Sequence, residues 1–186
     1  MRKVKAFIFV TLNGYFEGPG KTIDWHHHGK EENAFSAEML KHGNTLLFGR
    51  VTYDLMVSYW TSPLAFTNDP IVADGMHRAN KIVFSRTLKK AGWNNTTLVK
   101  TNVEQAIRKL KQQPGTDMVL LGSGSMLTQL AQKELIDEYQ ILVNPVILGD
   151  GTSIFKGFKG RLNVKLTKTR VFRSGNILLY YRPVKG

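Results

Sequence analysis

Short runs of β-branched and aromatic residues alternate along this chain with segments of helical period. That alternation limits the fold more than any other feature. Lys3-Val-Lys-Ala-Phe-Ile-Phe-Val-Thr11 reads as a buried strand, followed by a Gly/Pro-rich loop over residues 13–20. From Glu31 to Lys41, Phe35, Met39 and Leu40 share one side of a helix that Gly43 stops. Residues 45–48 and 81–84 read as strands and 52–56 as a short helical stretch. Residues 61–77 have no clear period and read as a long loop with a helical turn. Thr101-x-x-Glu104 reads as a capping box, with Val103, Ala106, Ile107 and Leu110 at helical spacing behind it and Pro114-Gly115 as the stop. Met118-Val-Leu-Leu121 is continuously apolar, as a strand covered on both faces should be. Residues 122–125 open a helix to about Lys133, and residues 139–143 form a further strand. Leu162–Phe172 and Ile177–Tyr181 close the chain as a hairpin around Ser174-Gly-Asn176. The pattern predicts one α/β domain over residues 1–186, a mostly parallel central sheet flanked by helices with a C-terminal antiparallel hairpin.

Composition narrows the chemistry. The 186 residues include no Cys, which excludes thiol catalysis, iron–sulfur clusters and Cys-based zinc sites and fits a reducing cytosol. No apolar run approaches the ~20 residues of a membrane span. The basic start, Met1-Arg2-Lys3, leads into a strand rather than a signal peptide, so a cytoplasmic protein is expected. Lys and Arg outnumber Asp and Glu 26 to 14, for a net charge of +12. From Gly151 onward every charged residue is basic. Such a balance suits an anionic partner: nucleic acid, a phosphorylated metabolite or a phosphate-bearing cofactor.

Motifs separate these. Gly20-Lys21-Thr22 imitates the end of a P-loop, but Tyr15 stands where its first Gly belongs. His26-His27-His28 suggests a metal, yet adjacent loop side chains seldom converge on one ion, and the triplet reads as a solvated or pocket-lining loop. Three strand-to-helix junctions remain: Gly49-Arg50-Val-Thr52, Ser85-Arg86-Thr87 and Gly122-Ser-Gly-Ser125. Each offers a tight turn, hydroxyls, a guanidinium or free helix N–H groups to phosphate oxygens. In an open α/β sheet, ligands collect at the carboxyl ends of strands, where these junctions fall.

The ordered set resembles the dihydrofolate reductase-like superfamily. Leu46-Leu-Phe-Gly-Arg50-Val-Thr52-Tyr53 is similar to its Gly-Arg-x-Thr-aromatic signature, and Thr11-Leu-Asn-Gly-Tyr-Phe-Glu-Gly-Pro19 to its first strand and loop. Residues 85–87, 122–125, Asn144-Pro-Val-Ile-Leu-Gly-Asp-Gly151 and Phe155 complete the order. The nearest variety is the C-terminal reductase domain of the bifunctional deaminase/reductase of riboflavin synthesis, with its stand-alone bacterial relatives. The resemblance implies an NADPH-dependent oxidoreductase, a homodimer, with no metal. It would transfer a hydride to a pteridine- or pyrimidine-like small molecule. It places Gly49, Arg50 and Thr52 on the cofactor phosphates and Ser85 and Arg86 on the ribose 2′-phosphate. Gly122, Ser123, Gly124, Ser125 and Met126 would lie under the pyrophosphate, Asn13 and Gly14 beside the nicotinamide, and Trp25 and Asn33 near the substrate. Where the dihydrofolate reductases carry a helix carboxylate, this chain reads Asn33, with Glu31 and Glu32 just before it. An amide cannot donate a proton as a carboxylic acid can, so little turnover of dihydrofolate is expected. A phosphorylated ribosylamino-pyrimidine would suit the basic surface. Two other readings are an NADP-binding protein of this fold without catalysis, and a basic nucleic-acid-binding module. The second lacks a recognisable motif, and the aromatics of the basic segment follow strand spacing.

Overall fold

The first strand shows how the core is built. In β1 (Val4–Thr11) side chains alternate across the sheet. Val4, Ala6, Ile8 and Val10 enter one core, while Phe7 and Phe9 pack into another on the opposite face. The computed structural model describes residues 1–184. Its strands are β1, β2 (Tyr15–Glu17), β3 (Thr45–Gly49), β4 (Lys81–Phe84), β5 (Thr96–Val99), β6 (Met118–Leu120), β7 (Glu138–Asn144), β8 (Thr152–Ser153), β9 (Val164–Val171) and β10 (Ile177–Pro183). The helices are α1 (Lys30–Lys41), α2 (Arg50–Trp60), α3 (Pro63–Asn68), α4 (Pro70–Arg78), α5 (Val103–Gln112) and α6 (Gly124–Gln132).

The main sheet has the order β5-β4-β3-β6-β1-β7-β10-β9. Its first six strands are mutually parallel, and β10 and β9 close it as the antiparallel hairpin. A small ribbon of β2 and β8 lies apart from it. One core holds α5 and α6, with Ile107, Met126, Leu127 and Leu130 against the sheet. The other gathers Phe35, Tyr53, Val72 and Met76 from α1, α2 and α4. This is the mostly parallel α/β domain that the alternation predicts.

Several local features differ from the sequence reading or were missed by it. Residues 61–77 are chiefly two short helices, each with Pro in its first turn. Proline ends one period before another is established, so no long amphipathic stripe develops. Residues 96–99 form an edge strand whose Thr-rich, half-buried sequence carries little hydrophobic signal. The N-cap of α5 is Asn102 rather than Thr101; its side-chain oxygen accepts from the Gln105 N–H at 3.3 Å. Residues 13–20, read as loop, carry β2, and Ser85-Arg86-Thr87 leads through a loop to β5 rather than into a helix; elsewhere the boundaries move by up to two residues, except that α2 runs on to Trp60.

Among the described residues, no helix is long and apolar enough to cross a membrane. Of the nine basic residues in the C-terminal segment, Lys165, Lys168 and Arg170 lie on β9, an edge strand exposed along its whole length. Lys168 sits over the Tyr180 ring and Arg170 over Phe172 and Phe35. These cations cover rings that a nucleic-acid surface would leave free for base stacking.

Candidate active site

The three anion-friendly junctions meet at one edge of the sheet. Gly49 at the end of β3 is in register with Phe84 of β4, placing Ser85 one residue beyond its neighbour. On the other side the Gly49 N–H donates to the Gly122 carbonyl at 2.9 Å. A Cβ on Gly49 would lie 2.6 Å from Ser123 Oγ, and one on Gly122, at φ +128°, 2.8 Å from Thr52 Oγ1. The two turns therefore approach too closely for any side chain. Neither α2 nor α6 has a side-chain cap, so both helix starts keep N–H groups for an anion. Met126 is buried, so only its backbone could serve a ligand.

The other positions are more peripheral. Ser85 Oγ accepts from the Leu88 N–H at 2.9 Å and the Thr87 N–H at 3.2 Å, shaping its turn. Arg86 is exposed and makes no ion pair among the described residues. Arg50 pairs with Asp54 at 2.9 Å on the surface of α2. Asn13 ties the end of β1 to the loop before β8, its amide donating to the Leu148 carbonyl at 2.7 Å. Gly14, at φ +84°, turns the chain from β1 into β2.

A chain of cavities crosses this edge. One of about 260 Å³ is lined by Lys21, Ser123, Gly124, Ser125, Thr128 and Lys156, with Phe16, Glu17 and Val51. It shares the Gly-rich turn with a second, of about 180 Å³, that reaches Thr52 and Gly122. The second shares Phe7, Phe9, Leu55, Met56 and Trp60 with a third, of about 430 Å³, whose polar groups include His26, His28, Glu32, Asn33 and Ser36. Asn33 thus lines the largest chamber. Trp25 does not; it is buried behind the loop, edge-on to His26 at 6.2 Å.

Contacts between distant residues set the chamber's electrostatics. Glu32, in the first turn of α1, accepts from the Gly29 N–H at 2.9 Å, from Asn176 Nδ2 at 2.9 Å and from Ser174 Oγ. Burial opposes ionisation there, but these donors outweigh it and hold the carboxyl below the usual carboxylate range. Glu31 accepts from the Arg173 N–H and pairs with its guanidinium at 3.2 Å. Both acids therefore anchor the β9–β10 turn. His26 stacks on Phe9 at 3.9 Å, with Nδ1 2.9 Å from Asn144 Oδ1. Burial pushes its pKa down to about 4 despite that bond, so its ring is neutral at neutral pH. His28 Nε2 lies 3.7 Å from Asp69 Oδ2, and the other Asp69 oxygen accepts from the Asn33 amide.

His26 and His28, their rings 5.4 Å apart, both line the chamber, as a pocket-lining loop should, and His27 does not. The His28–Asp69 pair escapes sequence reasoning because its members are distant and Asp69 lies in the stretch read as loop. Asp69-Pro70 is a helix-start signal, but it marks the beginning of α4 and not the partner of Asp69.

A parallel sheet with its Gly-rich turns and ligand cleft at one carboxyl edge defines a reductase-like fold of the dihydrofolate reductase type. The chain belongs to the RibD C-terminal domain family, which it matches over residues 2–178. It is 31% identical over 184 residues to the uncharacterized protein YyaP of Bacillus subtilis, covering 97% of this chain and 94% of that one. A putative riboflavin biosynthesis protein from Shewanella superposes at a TM-score of 0.79 with 20% identity, over 98% of this chain and 99% of the other. The dihydrofolate reductase of Enterococcus faecalis, solved with NADP(H), superposes at 0.66 with 16% identity, over 98% and 97%.

Proposed function

We propose that this protein is an NADPH-dependent reductase of a small heterocyclic compound. The carrying observation is that the Gly49–Thr52 and Gly122–Ser125 junctions meet at a cleft leading into the 430 Å³ chamber, with the Ser85–Thr87 turn at the end of the adjacent strand β4. The uncapped helix starts at Arg50 and Gly124, with Thr52, Ser123, Ser125, Lys21 and Lys156, would hold the cofactor phosphates. Gly49 and Gly122 leave the backbone room to approach them. Ser85 and Arg86 would take the ribose 2′-phosphate, and Asn13 and Gly14 would border the nicotinamide. When bound, NADPH supplies a hydride to a C=N or C=O carbon.

The protein's share is position and a proton. Phe7, Phe9, Phe35 and Trp60 exclude water from the chamber and orient a flat ring. Reduction of the double bond also requires one proton at the nitrogen or oxygen. His28 lines the chamber with its Nε2 3.7 Å from Asp69 Oδ2, and it would deliver that proton. Asn33 keeps Asp69 in place. A second copy of the chain would cover the open edge of β9, where Leu166 and Val171 are 46% and 71% exposed. Light scattering should give a dimer mass that Leu166→Lys halves.

Titration of NADPH by its own fluorescence tests the cofactor reading directly. Saturable binding that Gly122→Ala weakens is expected. No binding by the folded wild-type protein would refute the reading.

A further inference from the structure

The charge of the cleft changes along its length, and the change restricts what the chamber can accept. At the α6 end, Lys21 and Lys156 line the cavity together with helix N–H groups. Among the described residues, no Lys or Arg lines the 430 Å³ chamber. Arg170 lies over the Phe172 ring at 4.6 Å and Arg173 pairs with Glu31, and neither lines the chamber. The walls are mostly aromatic and aliphatic, and Glu32, itself 5% exposed, keeps its negative charge among three donors from the protein. His28 is engaged with a second buried carboxylate, Asp69. An anion entering here would meet the Glu32 carboxylate in a low-dielectric wall that, among the described residues, no Lys or Arg lines, with His28 already facing Asp69.

The geometry points to an uncharged, flat, conjugated compound as the occupant, one that carries no phosphate and presents a single acceptor atom to His28. As the identity of a reduced substrate this rests on the reductase reading; as a binding preference it stands alone. Phe7, Phe9, Phe35 and Trp60 line the chamber, so a planar guest gains edge and stacking contacts there. The basic surface of the C-terminal segment does not extend into the chamber, so the phosphorylated ribosylamino-pyrimidine suggested by overall charge is disfavoured.

The experiment compares 1-naphthol with 1-naphthyl phosphate, which share a ring and differ in the phosphate. Each is titrated calorimetrically into the whole protein without NADPH. Naphthol should bind at least about tenfold more tightly, since charge burial without a partner is costly. Tyr59→Arg, which adds a cation to the chamber wall, should narrow that gap, with circular dichroism verifying that the variant is folded. Equal or tighter binding of the ester, no naphthol binding, or a gap unchanged by a folded Tyr59→Arg would each overturn the proposal. NADPH titration in the same buffer separates the readings. Failure there alone removes the reductase, whereas failure of the naphthol preference alone removes this substrate class.

Discussion

The two ends of the cleft differ in how they are made. The phosphate end is assembled from short motifs on neighbouring parallel strands: Gly49-Arg50-Val-Thr52 and Gly122-Ser-Gly-Ser125 come together because β3 and β6 pair. The chamber is assembled from residues remote in the chain. Glu32 reaches Asn176, 144 positions away, and Asn33 reaches Asp69. The first end offers free donors and positive charge, whereas the second has already committed most of its charged groups to one another. A family can retain the first as a cofactor platform while the second diverges to suit another substrate.

The largest expected effect would break the chamber alone. His28→Gln should lower NADPH-dependent turnover by about 10²–10⁴-fold, the usual contribution of a placed general acid. NADPH affinity should stay unchanged. Steady-state kinetics beside the fluorescence titration separates the two, and equal losses in both would show that His28 serves the fold.

Next is a pH effect confined to the same end. The folded state holds His26 neutral, with its pKa near 4 against about 6.5 for a free imidazole. The unfolded chain therefore binds more protons between those values. Stability from this group is complete above about pH 6.5 and is lost as the pH falls toward 4, by on the order of 3 kcal/mol at most. Urea midpoints across that range should flatten in His26→Gln, while NADPH binding at neutral pH should change little.

That division also explains what was legible. The sheet could be read because β1, β3, β4, β6 and β7 are short apolar runs with turn residues at their ends, and α5 because Val103, Ala106, Ile107 and Leu110 repeat at helical spacing. The two glycine turns were legible because backbone proximity demands a residue without a side chain. By contrast, α3 and α4 lacked a readable period, and with them the place of Asp69. Glu31 and Glu32 stand in the first turn of α1, and their hold on the β9–β10 turn depends on tertiary contacts alone. The fold was therefore open to local reasoning, and the chamber's chemistry was not.

A third change acts on the phosphate end. Gly122→Ala forces a side chain into a φ of +128° and against Thr52 Oγ1, so it should cost about 1–3 kcal/mol of stability. It should also weaken NADPH. Naphthol affinity should survive in the folded fraction, because Gly122 does not line the large chamber.

The smallest effect would sharpen the comparison within the phosphate end. Ser85 Oγ already accepts from two backbone amides, so its proton, whose one side-chain partner among the described residues is Thr87 Oγ1 at 3.4 Å, can turn outward. Arg86 has no competing ion pair among the described residues, and its guanidinium can turn toward a phosphate monoester. A charge-assisted hydrogen bond contributes about 1.5–3 kcal/mol, and solvent screening at an exposed site reduces that toward its lower limit. The wild type should therefore prefer NADPH to NADH by about tenfold, a factor equivalent to 1.4 kcal/mol. Arg86→Ala should remove most of that preference by weakening NADPH while leaving NADH affinity unchanged, and the preference should shrink as salt is raised. Parallel titrations of both dinucleotides measure each term. Equal weakening of the two would move Arg86 from the 2′-phosphate to a part of the cofactor they share. An unchanged preference would assign discrimination to another cation of the same edge, where Arg50 would be freed by loss of its bond to Asp54.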